Sequence, residues 1–422
     1  MADPKDDLAL QPLSGDLLKI DSFQINGLFG ESDINIHFPQ QELGSTDPSI
    51  IILSGRNGTG KTTILKMISG MLRLNFDPFR TIPFHSAKLQ FSSGDVLSVV
   101  PLEGNERCSL WMQWNDVGAR LPKEKGDRED DAHSKEIDAV RELASPSLNS
   151  ISFDFLDLDR LPRQGRLTSR EQQILSSYNV EDSKSKDKTL ANRVAHFLRD
   201  AQINYRRFFR EEELGFLQRI LQRLDPGISA PTPSDLLGRI SQIRTRFQST
   251  SRYGLHLEDE QLSILESLLG SGEYNSPQQT SLIETYVESQ ENAQTARDLI
   301  VNRLQNFEAI MADFLIDKKV MIDPRRGLRI EARHGPLNEH QLSSGEYHFL
   351  CMMVAALLCQ RMGTIIAIDE PELSLHVTWQ RKLVSALASC ASGASPTFLF
   401  ATHSLAISSA HADKVVVLSP ID

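Results

Sequence analysis

The feature that most constrains this chain is one short stretch, Gly55-Arg56-Asn57-Gly58-Thr59-Gly60-Lys61-Thr62, which fits the pattern G-x-x-x-x-G-K-[ST]. An apolar run of the buried-strand type, Ser49 to Leu53, precedes it. Helical spacing through Ile64, Leu65, Ile68 and Leu72 follows it, predicting a helix from Thr62 to Leu72. A strand, a glycine-rich turn and a helix in that order require an α/β layer. Such a loop closes successive backbone N–H groups around a phosphate, and the helix start adds partial positive charge. Lys61 has the reach for the β- and γ-phosphates of a nucleotide, and the Thr62 hydroxyl can ligate Mg²⁺.

The second informative stretch is Thr364-Ile365-Ile366-Ala367-Ile368-Asp369-Glu370. A buried strand here delivers two carboxylates at its carboxyl end, where open α/β sheets place their ligands. Asp369 is the expected Mg²⁺ ligand, and Glu370 the group that orients or deprotonates an attacking water.

Three further motifs carry a resemblance. Leu342-Ser343-Ser344-Gly345-Glu346 resembles the signature of ABC-type ATPases. Glu370-Pro371-Glu372-Leu373-Ser374-Leu375-His376 resembles their Walker B extension and D-loop, and Thr402-His403-Ser404 their switch histidine. With the P-loop, these motifs stand in that family's order. The resemblance implies two nucleotide-binding units meeting head to tail, with Ser343 and Gly345 donating to the γ-phosphate held by a partner chain. A working site would then need a homodimer or a higher even assembly. The implied catalytic groups are Glu370, His403 and Lys61. ATP would be held by Gly55, Asn57, Gly58, Thr59, Gly60, Lys61, Thr62 and Thr63, with Ser343 and Gly345, and Mg²⁺ by Thr62 and Asp369.

Ser344 and Glu346 depart from the transporter pattern, and about two-thirds of the chain separates Lys61 from Ser343. Both features point to the RecF-, SMC- and OLD-like branch, which carries long helical insertions at that place. The run Leu342 to Glu346, the run Leu373 to Gln380 and the strand ending near Asp159-Arg160-Leu161 are similar to AAA-type ATPases of bacterial anti-phage systems such as Septu and PARIS. The resemblance leaves two glutamines, Gln90 and Gln113, as alternatives for a Mg²⁺-contacting Q-loop residue, and names no adenine-stacking residue.

Patterning divides the chain into an N-terminal half of the ATPase head (1–165), a helical insertion (166–318) and a C-terminal half of the head (319–422). Strand alternation marks 18–25 and 34–38, and a hairpin of 87–91 and 96–100 turns at Ser92-Ser93-Gly94-Asp95. Cys108 to Trp114 reads as a further strand, and the charged stretch Pro122 to Asp138 as a solvated loop. From Thr189 the period becomes helical: Val194, Phe197, Leu198, Ala201, Tyr205 and Phe208 share one stripe. A second stripe runs from Ile283 to Phe314, so an antiparallel helical pair is expected, short and coiled-coil-like. The first of these helices also carries Arg193, Arg199, Arg206, Arg207 and Arg210, either a solvated face or a patch for a nucleic-acid backbone. After Lys319, strands alternate with helices again. The expected class is α/β: a P-loop head split in sequence, with an antiparallel meander and a helical insert.

Composition limits the rest. The net charge of −11 offers no global attraction to nucleic acid or an anionic membrane. The longest apolar run, Cys351 to Cys359, is about half of what a span needs. Met1 to Asp7 has no apolar core of a secretory signal. The four cysteines lack zinc or disulfide spacing, so small buried side chains in a cytoplasmic, reducing setting are expected. No separate acidic cluster marks a nuclease centre. If the ATPase controls nucleic-acid cleavage in phage defence, the nuclease is expected to be another polypeptide. A DNA-maintenance ATPase and an ATP-dependent assembly scaffold are the competing expectations.

Overall fold

The computed structural model describes residues 18–40, 47–102, 109–121, 131–158, 189–223, 231–255, 260–272, 276–360 and 363–418. In chain order the strands are β1 (Ile20–Leu28), β2 (Ser32–His37), β3 (Ser49–Ser54), β4 (Ser86–Phe91), β5 (Val96–Leu102), β6 (Ser109–Trp114) and β7 (Val117–Leu121). They continue with β8 (Phe153–Asp157), β9 (Lys318–Asp323), β10 (Gly327–Ala332), β11 (Gly335–Leu337), β12 (Ile365–Asp369), β13 (Thr397–Thr402) and β14 (Val415–Val417). The longer helices are α1 (Lys61–Leu72), α2 (Asp131–Asn149), α3 (Leu190–Arg223), α4 (Pro233–Thr250), α5 (Glu260–Ser271), α6 (Pro277–Phe314), α7 (Ser344–Leu358) and α8 (Val377–Cys390). None is long and apolar enough to cross a membrane, among the described residues. The chain divides into two compact units, Pro12–Lys184 with His340–Asp422 and Met1–Gln11 with Ser185–Glu339.

The first unit carries two sheets. Five parallel strands run in the order β14-β3-β13-β12-β8, from segments distant in sequence. The near-continuous apolar runs of the inner strands β3, β13 and β12, complete in Ile365 to Ile368, are what strands covered on both faces require. Register aligns Ser54 with Thr402 and Asp369 with Ala401 and Asp157, so these strand ends form one carboxyl edge. The second sheet is antiparallel, β2-β1-β4-β5-β6-β7, and its strands alternate between core and solvent. Phe23, Ile25, Leu89 and Leu97 of this sheet share one core with Ile51 and Leu53 of β3 and Ile64 and Ile68 of α1. The P-loop helix is thereby fixed between the sheets. Cys351, Cys359 and Cys390 are buried; Cys108 lies outside the described residues.

The charged stretch Pro122 to Asp138 is helical from Asp131 onward, against the expected loop. Ile137, Val140, Ala144 and Leu148 are buried at spacings of three and four, and charges on the other positions hid that stripe from the sequence reading.

The second unit holds α3 to α6 with the three-stranded sheet β11-β10-β9. The expected stripe of α3 is buried at Val194, Phe197, Leu198, Ala201, Tyr205 and Phe208, and the Arg303 guanidinium of α6 lies over the Phe197 ring at 6.0 Å. Leu236, Ile240, Leu262 and Val287 form a core that joins α4, α5 and α6. Residues 319–339, placed by the sequence with the C-terminal half of the head, cluster here instead. The Ile322 N–H donates to Glu308 Oε1 of α6 at 2.8 Å, and Gly327 lies directly against the backbone of α3. Strand periodicity is identical whichever unit a strand joins, so this assignment was not in the pattern.

At Gly327 the backbone is left-handed (φ 80°), and a Cβ would clash with the Ala191 carbonyl oxygen. Gly327→Ala is expected to destabilise this unit by about 1–3 kcal/mol through overpacking, with ~1 kcal/mol more from the backbone conformation. Thermal unfolding followed by circular dichroism measures it; an unchanged melting temperature would contradict the packing.

Candidate nucleotide site

β3 ends at Ser54, the chain turns through Gly55 to Gly60, and α1 begins at Lys61. Gly58 and Gly60 take positive φ, 89° and 86°, as the reversal into a helix demands. Gly60 has a second constraint: a Cβ there would come within 2.8 Å of the Phe29 ring. Arg56, Asn57 and Gly58 are exposed at the loop tip, while Thr59 and Lys61 are buried. The Thr59 hydroxyl donates to the Arg56 carbonyl at 2.9 Å. Lys61 Nζ donates to the carbonyls of Gly55 and Arg56, both at 2.8 Å, so the ammonium is folded back into its own loop. Burial holds this lysine below the usual ammonium value, opposed by the carboxylates of Glu372, Asp369 and Glu370.

Opposite the helix start, Asp369 closes β12 and is 6 % exposed. Desolvation pushes its carboxyl up to about 6, against a hydrogen bond from Thr62; Asp157 and Glu370 add repulsion. Its Oδ1 is buried without a hydrogen-bond partner. Glu370 follows with φ at 49°, a left-handed conformation that costs a non-glycine residue roughly 1–2 kcal/mol. Its N–H donates to the Ala401 carbonyl at 2.9 Å, so the strained residue is anchored to the neighbouring strand. Strain of this kind clusters at functional sites, and here it lies beside a group of acids and a buried lysine.

The sequence profile of the family described as "AAA domain, putative AbiEii toxin, Type IV TA system" matches residues 50–409, from β3 past His403. The chain belongs to this AAA-domain family. No curated protein matches the sequence. Two solved structures are similar at a low level. One is the Smc head domain with an extended coiled coil bound to the C-terminal domain of ScpA derived from Pyrococcus furiosus, at 14 % identity and TM-score 0.39, covering 93 % of this chain and 92 % of that one. The other is the SmcHead bound to the C-winged helix domain of ScpA, at 13 % identity and TM-score 0.39, covering 96 % and 95 %. Superpositions this loose carry no assignment.

For an AAA-domain P-loop protein, Mg²⁺ is the expected ion beside the nucleotide, and the residues present fit it. The Thr62 hydroxyl and the Asp369 carboxylate are hydrogen-bonded to each other, and the orphaned Asp369 Oδ1 is a hard oxygen donor in a buried position. Lys61, Thr62, Asp369 and Glu370 are thus brought together at the carboxyl edge of the parallel sheet. Thr63 is half-buried on the first turn of α1. His403 follows the end of β13, next to β12, and its Nδ1 lies 2.9 Å from Glu372 Oε1.

Ser343 and Gly345 belong to a different part of this AAA-domain unit. Ser343 is the exposed N-cap of α7 and forms a capping box with Glu346. Its N–H and hydroxyl both donate to Glu346 Oε2 at 2.8 Å. Gly345 is buried, and a Cβ there would clash with the Ser374 carbonyl oxygen, so the start of α7 packs on the segment that follows Glu370. Among the described residues no hydrogen bond joins Ser343 or Gly345 to residues 55–63 of the same chain. Gln90 and Gln113 lie on β4 and β6 of the antiparallel sheet, and Gln113 Nε2 donates to the Asn115 carbonyl at 2.6 Å. Asp159-Arg160-Leu161 lies outside the described residues.

Three residues escaped the sequence reading. Asp157 meets Asp369 only through strand register, Phe29 meets Gly60 only through the fold, and Glu372 was read merely as part of a motif. A glutamate two positions after a strand-end acid pair was the one signal available for the last.

Proposed function

We propose that this chain is an ABC-type ATPase that binds and hydrolyses Mg-ATP at a site shared between two chains, and that it regulates a separate effector, a nuclease, in anti-phage defence. What supports the ATPase reading is the constellation Lys61–Thr62–Asp369–Glu370, with Lys61 and Asp369 buried and Thr62 and Glu370 half-buried, and with one orphaned carboxylate oxygen at a phosphate-binding loop. The defence reading is supported by the toxin and toxin–antitoxin description of the family.

In this reading Lys61 leaves the Gly55 and Arg56 carbonyls to pair with the β- and γ-phosphates, while loop N–H groups of Asn57 to Thr63 surround them. Phe29, packed on Gly60, contacts the nucleoside. Thr62 and Asp369 would hold Mg²⁺, which would supply positive charge against the negative charge developing on the phosphates. Glu370 takes a proton from, or orients, the water that attacks the γ-phosphorus. His403 approaches the γ-phosphate beside it. Ser343 breaks its bond to Glu346 to serve the partner's nucleotide, with Gly345 giving the close backbone approach.

A second reading, an SMC-like DNA-maintenance ATPase, has one observation in its favour. Arg193, Arg199, Arg206, Arg207 and Arg210 are all exposed on α3, opposite its buried stripe, a surface suited to a phosphate backbone.

A mixture of chains tests the shared site. Lys61→Ala disables one chain's P-loop, and Ser343→Arg disables the other chain's signature. A mixed dimer keeps one intact composite site, so mixing the two inactive variants should restore part of the parental ATPase rate. Mixed dimers that form, by native mass spectrometry, yet hydrolyse no faster than either variant would rule out sharing.

A further inference from the structure

Glu372 has no part in binding ATP or activating water in the reading above, yet it is heavily hydrogen-bonded beside the site. It is 6 % exposed. Its Oε2 accepts from the Thr402 hydroxyl at 2.7 Å. Its Oε1 accepts from the His403 backbone N–H at 2.8 Å and lies 2.9 Å from His403 Nδ1. The Thr402 oxygen in turn accepts from the Ser404 N–H at 3.0 Å, which leaves its own proton for Glu372. Gln380 ties both sides together: its Oε1 accepts from Ser404 Oγ at 2.7 Å, and its Nε2 donates to the Leu375 carbonyl at 2.9 Å.

The hydrogen placement follows from this count. Both oxygens of Glu372 already accept, and a carboxylate has no proton to give. The proton in the Glu372–His403 contact therefore belongs to Nδ1. A neutral imidazole protonated at Nδ1 carries its lone pair at Nε2. The His403 side chain is 46 % exposed, so that edge of the ring is open while the other is clamped. The Glu372 carboxylate, with Asp369 and Glu370, also opposes the lowering of Lys61 by burial, which puts it inside the field of the phosphate-binding loop.

We propose that Glu372 is the positioning residue of this site: it fixes His403 as the Nδ1–H tautomer and presents Nε2 for catalysis. A ring in that state accepts a hydrogen bond at Nε2 when neutral, and donates to a phosphate oxygen there only when both ring nitrogens carry protons. Glu370 is thereby left to the water, while Glu372 works through the histidine. The inference rests on the ATPase reading for its catalytic half and on geometry alone for its tautomer half.

The experiment has two arms. Imidazole ¹⁵N spectra of the histidine-labelled full chain, with His403 assigned by His403→Gln, should show Nδ1 protonated in the parent, and the Glu372→Gln variant should change that signal. Steady-state kinetics of Glu372→Gln should show kcat down about 10- to 100-fold with KM for Mg-ATP little changed, and His403→Ala should add little to that loss. A parent ring protonated at Nε2 alone overturns the proposal, and it does so even if the variant fails to fold. So does a Glu372→Gln chain with parental kcat, or losses that multiply in the double variant. A parent chain that hydrolyses no ATP overturns the ATPase reading and the catalytic half with it, while the spectra still decide the tautomer.

Discussion

Glu370→Gln is expected to leave ATP binding intact and to slow hydrolysis by about 10²- to 10⁴-fold, the usual loss when a positioned base is removed. The substitution preserves shape at a residue held with φ at 49° and its N–H on Ala401, so the local backbone has no reason to change. It removes a negative charge from a site that already holds Asp369, Asp157 and Glu372. In the proposed shared site, ATP would stabilise the closed dimer only through contacts that exist in that state, so blocked hydrolysis should raise the closed population. Phosphate release measured beside ATP-dependent mass by light scattering reads both effects. Hydrolysis at the parental rate, or a chain that stays monomeric with saturating Mg-ATP, would remove Glu370 from the role proposed.

The second large effect is at Lys61. Its ammonium is buried, held by two carbonyls of its own loop, and is the cation that the loop can swing toward phosphates. Lys61→Ala removes at least two charge-assisted hydrogen bonds to ATP, each worth roughly 1.5–3 kcal/mol. Affinity should fall by about 10²- to 10⁴-fold. The alanine suits a helix start, so folding should survive; a melting curve without nucleotide checks that. Calorimetry with Mg-ATP giving equal affinity for variant and parent would dismiss the loop as the nucleotide site.

How much of this was legible in the sequence depends on distance along the chain. The loop from Gly55 to Thr62 and the strand ending at Asp369-Glu370 were readable because each is local: the residues that act together are neighbours in sequence. The buried stripe of α3 was readable for the same reason. Asp157 was not, because only the pairing of β8 with β12 sets it opposite Asp369, and the two strands lie in opposite halves of the chain. Phe29 was hidden because its approach to Gly60 depends on how the antiparallel sheet shares a core with α1. The strands β9 to β11 were given to the wrong unit because alternation reports that a strand has one buried face and is silent about what buries it.

The packing of Gly345 on Ser374 has a consequence for how a dimer would keep time. In the proposed dimer, the segment that would read one nucleotide and the segment that would work on the other meet where the Gly345 backbone packs on the Ser374 carbonyl, closely enough that a Cβ at Gly345 would clash. A shift of one is expected to push on the other. Filling one pocket therefore alters the geometry at its twin, ATP should bind along a sigmoid, and an assembly with one crippled pocket should turn over at less than half speed in the healthy pair.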